Sequence, residues 1–388
     1  MKRILFLSHY GAHQQFQDFF SAIAKQGNYE VKVIIPKEIV YSYGYGTHRF
    51  PERKIINNVE YIPSALFDKY RYHFSGYFPE LPKTILSFKP DTIIVTDEVY
   101  TLDAWFVVLY KFLFFKHYQI ITWSQANYLE NRHTLVPAAQ LILSLNKPFI
   151  NKFIARNHTQ SSRIKAVIPS SKHVQTVYWS SHPDRFQHLN IPRPELLKKL
   201  GITANLINKQ LIGFAGRLVP EKGVLDVIEC LPQLEGQFVF LVVGEGKANY
   251  IEEIKQYLEE HQLKQRCILL GKKDYEELLL FYNAIDLLIL PTNNHNNFYE
   301  LFGRVLAEAM MCKTLVLGSS NGGIPEVINN ELCIFNQNDR IDMINKIKHL
   351  LNLTSEQRNS LLEQQYQHAI NNFSVTAFAR NLITLIER

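Results

Sequence analysis

Asn297-Phe298-Tyr299-Glu300-Leu301-Phe302-Gly303-Arg304-Val305-Leu306-Ala307-Glu308-Ala309-Met310 follows an apolar run, Ile285 to Leu290, and a polar stretch, Pro291 to Tyr299. The order predicts a strand, a loop and then a helix. The N-terminus of a helix offers free backbone N–H groups and the positive end of a dipole, so this junction makes an anion pocket. Two carboxylates, Glu300 and Glu308, stand eight residues apart beside it. Carboxylates repel phosphate, so their chemistry there is to hold hydroxyl groups, as on a sugar or a ribose. A rise of ~1.5 Å per residue sets them up to about 12 Å apart if both are helical. That span suits two ends of one ligand better than paired acid and base on one bond. Taken alone, the pair also reads as a loop Glu and a salt-bridged helix Glu.

Working outward, the same alternation of apolar runs and helical patterns covers the whole chain. It predicts α/β architecture with parallel sheets covered by helices. Strands are expected at Ile4–Ser8, Val31–Ile35, Thr92–Thr96, Gln119–Trp123 and Ala166–Pro169. In the second half they are expected at Leu211–Ala215, Phe238–Val243, Cys267–Leu270, Leu287–Leu290 and Thr314–Leu317. Helices are expected at His13–Lys25, Leu102–Phe115, Val224–Leu231, Tyr250–His261, Tyr275–Ala284 and Arg304–Met311. Pro183, Pro192 and Pro194 interrupt regular structure and place a hinge near residue 190. The expected domains are therefore 1–190 and 191–371, each doubly wound, with a terminal segment 372–388. Ligands of such sheets sit at the carboxyl ends of the strands.

The 388 residues are 46% hydrophobic and 20% charged, which is a globular composition. The net charge of +6 comes without a Lys/Arg block, which excludes a nucleic-acid footprint. It fits anionic small molecules or an anionic membrane surface. Cys230, Cys267, Cys312 and Cys333 sit among apolar neighbours with no C-x-x-C pair, so reduced buried thiols and a cytoplasmic address are expected. Ile4 to Leu7 is too short for a signal segment, and Ala104 to Phe115 is too short to cross a bilayer.

Other constellations follow strands. Gly213-Phe214-Ala215-Gly216-Arg217-Leu218-Val219-Pro220-Glu221-Lys222-Gly223 offers Arg217 as a planar fork and Lys222 as a compact cation for phosphate oxygens. A surface turn with two solvated cations reads the same way. Val242-Val243-Gly244-Glu245-Gly246 resembles part of a dinucleotide fingerprint but lacks its third glycine, and a tight turn without a ligand fits it equally. Ser319-Ser320-Asn321-Gly322-Gly323-Ile324-Pro325-Glu326 suits either a phosphate-facing nest or a plain strand-to-helix connection. In the first half His9, Gly11 and His13, with Glu98, Gln125 and Asn127 after later strands, are candidates for an acceptor side. Phe67 to Phe74 is aromatic and basic, and suits either a membrane contact or a packed surface loop. There is no D-x-D pair and no His/Cys cluster with metal spacing.

Taken as an ordered set, these pieces resemble glycosyltransferase family 4. They are Gly216-Arg217, Glu221-Lys222-Gly223, Glu300-x₇-Glu308 with Phe302-Gly303 between, and Gly322-Gly323-Ile324-Pro325-Glu326. Lys89-Pro90-Asp91 and Pro183-Asp184-Arg185-Phe186 extend the likeness more loosely, as does Asn372-Phe373-Ser374 with the segment to Arg388. The resemblance implies a GT-B fold, in which two Rossmann-like doubly wound domains face each other across a cleft. It implies an acceptor domain first, a donor domain second, and a C-terminal helix crossing back to the first. It further implies a retaining, metal-independent hexosyltransferase that uses a nucleotide-sugar, with a glycan or lipid-linked acceptor and a place in bacterial polysaccharide synthesis.

By motif, Arg217 and Lys222 would hold the donor diphosphate, Glu300 the sugar hydroxyls and Glu308 the ribose. Gly216, Gly244, Leu301, Phe302, Gly303, Gly322 and Gly323 would surround the donor. No cofactor and no nucleic-acid partner is expected, and contact with a membrane would be peripheral. The chain departs from the family in having Lys313 where a glycine is usual, Gly11-Ala12 for paired glycines, and no histidine near Trp123-Ser124-Gln125. A GT-B-type epimerase or phosphorylase, or a non-catalytic nucleotide-sugar-binding subunit, stands as the alternative reading.

Overall fold

The computed structural model describes residues 1–11, 14–40, 47–65, 78–124, 137–168, 173–202, 206–234 and 238–388. The chain divides into two compact units. The first is Met1–Tyr178 together with Val375–Arg388, and the second is Trp179–Ser374.

The strands of the first unit are β1 (Lys2–Leu7), β2 (Tyr29–Pro36), β3 (Glu38–Val40), β4 (Thr47–Arg49), β5 (Lys54–Ile56), β6 (Val59–Ser64), β7 (Thr92–Val95), β8 (Gln119–Trp123), β9 (Lys152–Ala155) and β10 (His173–Thr176). Eight of them form one sheet in the order β10-β9-β8-β7-β1-β2-β6-β5. All neighbours pair in parallel except β5 with β6. Strands β3 and β4 make a separate antiparallel ribbon. Every residue of β7 and of β9 is buried, as expected for strands covered on both faces.

The helix Val375–Glu387 completes this unit. Its Phe378 ring lies 4.8 Å from Phe19 and 5.3 Å from Trp123. Lys152 Nζ donates to the Leu385 carbonyl at 2.6 Å.

The second unit holds β11 (Gln210–Ala215), β12 (Phe238–Val243), β13 (Cys267–Gly271), β14 (Leu287–Leu290), β15 (Leu315–Ser319) and β16 (Ile334–Phe335), in the order β13-β12-β11-β14-β15-β16. All pairs are parallel. Strands β12 and β14 are apolar and fully buried. The helices Tyr275–Ala284 and Arg304–Met311 begin and end where the periodicity predicts. Asp274 starts the former with a capping box to Glu277.

Of the strand expected at Ala166–Pro169, Pro169 lies outside the described residues and the rest forms no strand. Ala166 and Val167 close the helix His158–Val167, and Ile164 and Ile168 are buried four residues apart. A short apolar run that ends a helix has the same local signature as a short buried strand. The edge strands β5 and β10, and β6 beside β5, were hidden for a related reason. Each is short, and β5 and β10 carry no clear alternation of buried and exposed residues.

Candidate functional site

In each sheet the chain starts in the middle and winds outward both ways, so each has a position where the connections part. In the second unit this lies between β11 and β14, and in the first between β1 and β7. Loops leaving the carboxyl ends of such strand pairs diverge, and the gap between them is where ligands sit.

In the second unit, the loop after β11 carries Arg217 and ends in the 3-10 turn Pro220–Lys222. The loop after β14 carries Thr292, Phe298 and Glu300. Lys222 Nζ forms an ion pair with the Glu300 carboxylate, and the two side chains are 12% and 13% exposed. Thr292 Oγ1 donates to the same carboxylate oxygen at 3.3 Å. The Phe298 ring centroid lies 4.9 Å from the ammonium, within reach of a cation–π attraction.

The Glu300 backbone is held from a third loop. Its amide donates to Asn321 Oδ1 at 2.7 Å, and its carbonyl accepts from the Gly323 amide at 2.7 Å. Between those two contacts Gly322 adopts φ +57°, and a Cβ there would lie 2.1 Å from the Glu300 carbonyl oxygen. Only glycine permits that approach.

The other donor-side positions lie around this pair. Gly216 bonds its amide to the Val243 carbonyl at 3.0 Å, and a Cβ on Gly244 would lie 1.8 Å from the Gly216 carbonyl oxygen. The two glycines thus let the chain after β11 and the chain after β12 touch backbone to backbone. Arg217, next to this contact, is partly exposed. Leu301 is half-buried. Phe302 is buried edge-on against Phe373, 5.1 Å between ring centroids, so its ring packs inside the second unit. Gly303 is the N-cap of the helix Arg304–Met311.

Glu308 sits inside that helix and is buried. Tyr282 donates its hydroxyl to one carboxylate oxygen at 2.8 Å, and Arg304 approaches the other at 3.4 Å. Burial holds the Glu308 carboxyl above its ordinary range, partly offset by Arg304 and by the Tyr282 bond. The same burial, with Glu308 beside it, pushes the Tyr282 hydroxyl far up.

In the first unit, His9 follows β1 and Asp97 and Glu98 follow β7. His9 Nε2 lies 2.6 Å from Asp103 Oδ2 and 3.7 Å from Asp97 Oδ2. Asp103 is buried in the first turn of the helix Leu102–Leu113, where the dipole favours its charge. The three ligand-capable atoms lie within 4.8 Å of one another, close enough to hold a small cation or to frame a histidinium. Glu98 is buried and accepts the Ser124 hydroxyl at 2.8 Å. Arg156 is fully buried, stacked 4.0 Å over Trp123. Desolvation drives its guanidinium well below the usual range, with Glu98 opposing. Gly11 is tucked against β2, where a Cβ would meet Ile35 at 2.6 Å. Gln125, Asn127, His13 and the run Phe67–Phe74 lie outside the described residues.

Sequence reasoning missed Asp103, Thr292 and Asn321. Asp103 stands 94 residues from His9, and a first-turn Asp is a common helix feature. Asn321 was readable only as part of a turn, because its role depends on Glu300 arriving from another loop.

Comparison with known proteins places the chain among relatives of similar build. Residues 202–368 match the family model described as Glycosyl transferases group 1. The phosphatidylinositol N-acetylglucosaminyltransferase GPI3 subunit of Saccharomyces cerevisiae is 26% identical over 220 residues, covering 54% of this chain and 47% of that protein. The chain thus spans about half the length of that curated relative. Sucrose-phosphate synthase from Thermosynechococcus elongatus superposes with a TM-score of 0.73 at 16% identity, over 100% of this chain and 98% of that one. HepE of Anabaena, solved in complex with UDP and glucose, gives a TM-score of 0.71 at 17% identity over 100% of both chains. The fold is GT-B.

Proposed function

We propose that this chain is a retaining glycosyltransferase that moves a hexose from a nucleotide-sugar to a glycan or lipid-linked acceptor without a metal ion. The observation that carries the reading is the Lys222–Glu300 pair at the strand parting of the second unit, gripped by three loops. The match of residues 202–368 to a glycosyltransferase family model supports it. So does the presence of UDP and glucose in one protein of the same fold. The yeast relative is a phosphatidylinositol N-acetylglucosaminyltransferase subunit, which supports a lipid-linked acceptor here.

The chemistry follows from the charges. The bond between the sugar C1 and the diphosphate oxygen breaks, and the leaving diphosphate gains negative charge. An ammonium has three N–H donors, so Lys222 can take a phosphate oxygen while keeping Glu300. Arg217 supplies the second cation with a bidentate fork. Glu300 is acceptor-only when ionised, and it holds the sugar hydroxyls in line. Glu308 takes the ribose hydroxyls through the oxygen beside Arg304, while Tyr282 fixes the other. The acceptor oxygen bonds to C1 on the face the diphosphate leaves, and its proton passes to the departing phosphate. Two cations without a D-x-D pair make the phosphate site self-sufficient, so the His9, Asp97 and Asp103 group is assigned to the first unit's acceptor and not to the diphosphate. A place in polysaccharide synthesis follows from a glycan acceptor.

The deciding experiment is product analysis by NMR, with UDP-, GDP- and ADP-sugars pre-screened by thermal stabilisation. Transfer with the donor's anomeric configuration kept is the expected result. Inverted product would sink the retaining reading. Sugar release as a phosphate ester, or conversion of the donor with no acceptor added, would replace transfer by phosphorolysis or epimerisation.

A further inference from the structure

Twelve large apolar side chains are exposed among the described residues, and six of them lie together in the first unit. They are Phe112, Leu113, Phe115, Leu141, Leu145 and Phe149, between 42% and 88% exposed. The helices Leu102–Leu113 and Pro137–Asn146 pack against one another, and the Phe112 and Phe149 rings meet edge-on at 4.9 Å. Leu141 and Leu145 stand one turn apart on the second helix. The other six exposed apolar residues are scattered singly along the chain, which needs no explanation.

Beyond Asp103, which is buried in the first turn of Leu102–Leu113, the segments that carry this patch hold charge of one sign. Residues 104–124 and 137–168 contain no Asp or Glu, where 36 in 388 would give about five. Lys111 and Lys116 flank Phe112 and Phe115, and Lys147 lies between Leu145 and Phe149. Lys111 is tied in place, donating to the Tyr118 carbonyl at 2.8 Å.

Phe115 adds a second observation. The helix Leu102–Leu113 ends with the Phe115 amide bonded to the Phe112 carbonyl at 3.2 Å and the Lys116 amide to the Lys111 carbonyl at 3.0 Å. This is the Schellman ending, whose left-handed position ordinarily holds glycine. Here that position is Phe115 at φ +48°, with its ring 88% exposed. A bulky residue in this region is strained, and its ring gains nothing from the fold.

We propose that this face of the first unit seats on the surface of an anionic bilayer, with the six apolar side chains at the acyl boundary and Lys111, Lys116 and Lys147 at the head groups. No described helix is long and apolar enough to cross a membrane, so the contact is interfacial. The single-signed charge decides between occupants. A second copy of the same face would bring like charges together, whereas anionic lipid neutralises them. The assignment deepens the lipid-linked acceptor reading by giving the lipid a surface, but it stands on the patch alone.

The test is co-sedimentation of the full chain with vesicles of phosphatidylcholine, with and without about one third phosphatidylglycerol, at low and high salt. Binding to the anionic vesicles, weakened by salt, is expected. Phe115→Gly relieves the strained ending, so its melting temperature should hold or rise while vesicle affinity falls roughly tenfold or more. UDP binding of the same variant reports on the second unit and should not change, so a failed donor reading and a failed membrane reading remain distinguishable. Equal capture by neutral vesicles, no capture by either, or unchanged affinity of Phe115→Gly would overturn the proposal. So would a dimer in ultracentrifugation that Phe115→Gly dissociates.

Discussion

The two strand partings of this molecule carry opposite kinds of site. In the second unit the group at the parting is a lysine and a glutamate that remain partly open to water. It is braced by backbone bonds and by glycines that admit close approach. In the first unit the group is a histidine between a buried aspartate, Asp103, and a partly exposed one, Asp97. The first kind holds one cation and one anion, which suits the proposed charged donor. The second keeps its charges paired internally and offers shape and hydrogen bonds. The two partings are alike in exposure, with side chains 10% and 21% exposed for His9 and Asp97 and 12% and 13% for Lys222 and Glu300, and they differ in the charges they hold.

The sharpest way to break this contrast is Glu300→Gln. The variant keeps shape and hydrogen bonding but loses the charge that holds Lys222. Transfer should fall about a hundredfold or more, the scale of one lost transition-state contact, roughly 3 kcal/mol. Turnover near the wild-type rate would remove Glu300 from the chemistry. Arg217→Ala comes next. It deletes a charged hydrogen-bonding fork, so calorimetric affinity for the nucleoside diphosphate should drop at least about tenfold. An unchanged isotherm would count against its placement.

A smaller effect is expected from Glu308→Gln. The folded carboxyl is held above its ordinary value by burial, so the wild type is favoured in its protonated form. That contribution is full below the unfolded pKa and is lost as pH rises through the folded one. Glutamine does not titrate. Melting temperatures measured at pH 4 and pH 7 should therefore move in favour of the variant as pH rises, and a gap that stays constant would contradict the shift.

The smallest effects test independence of the two partings. Asp103→Asn should leave nucleoside-diphosphate affinity where it was, and a chelator should leave transfer intact. Loss of activity on chelation would hand the diphosphate, or the His9 group, to a metal ion.

How far the sequence could be read follows the same division. Glu300, Lys222, Gly322 and Gly323 lie in short loops that each follow one strand, and every loop has its own local spelling. Each alone also reads as a plain turn, and it is the likeness of their order to that of a known family that sets them together. The helix Tyr275–Ala284 was legible from its start signal, Asp274 with Glu277, and Arg304–Met311 from its apolar period. His9 and Asp103 belong to elements 94 residues apart, and neither loop says that it needs the other. The Ala166 to Pro169 run was misread because three apolar residues do not distinguish a helix end from a strand. Glu308 was legible as a member of a pair but not as a buried one. Its burial depends on Tyr282, 26 residues earlier, whose position no spacing rule supplies.

The helix Val375–Glu387 covers Phe19 and Trp123 and caps Lys152, yet every residue of the second unit is made before it. On the ribosome, the earlier of the two units is therefore the one that finishes last. The second unit is one uninterrupted stretch and can mature while its neighbour still waits with an aromatic groove unfilled. We expect nascent chains stalled before Val375 to be cleaved by protease within the first unit and to be spared within the second. Equal resistance in both would show that the early half does not wait.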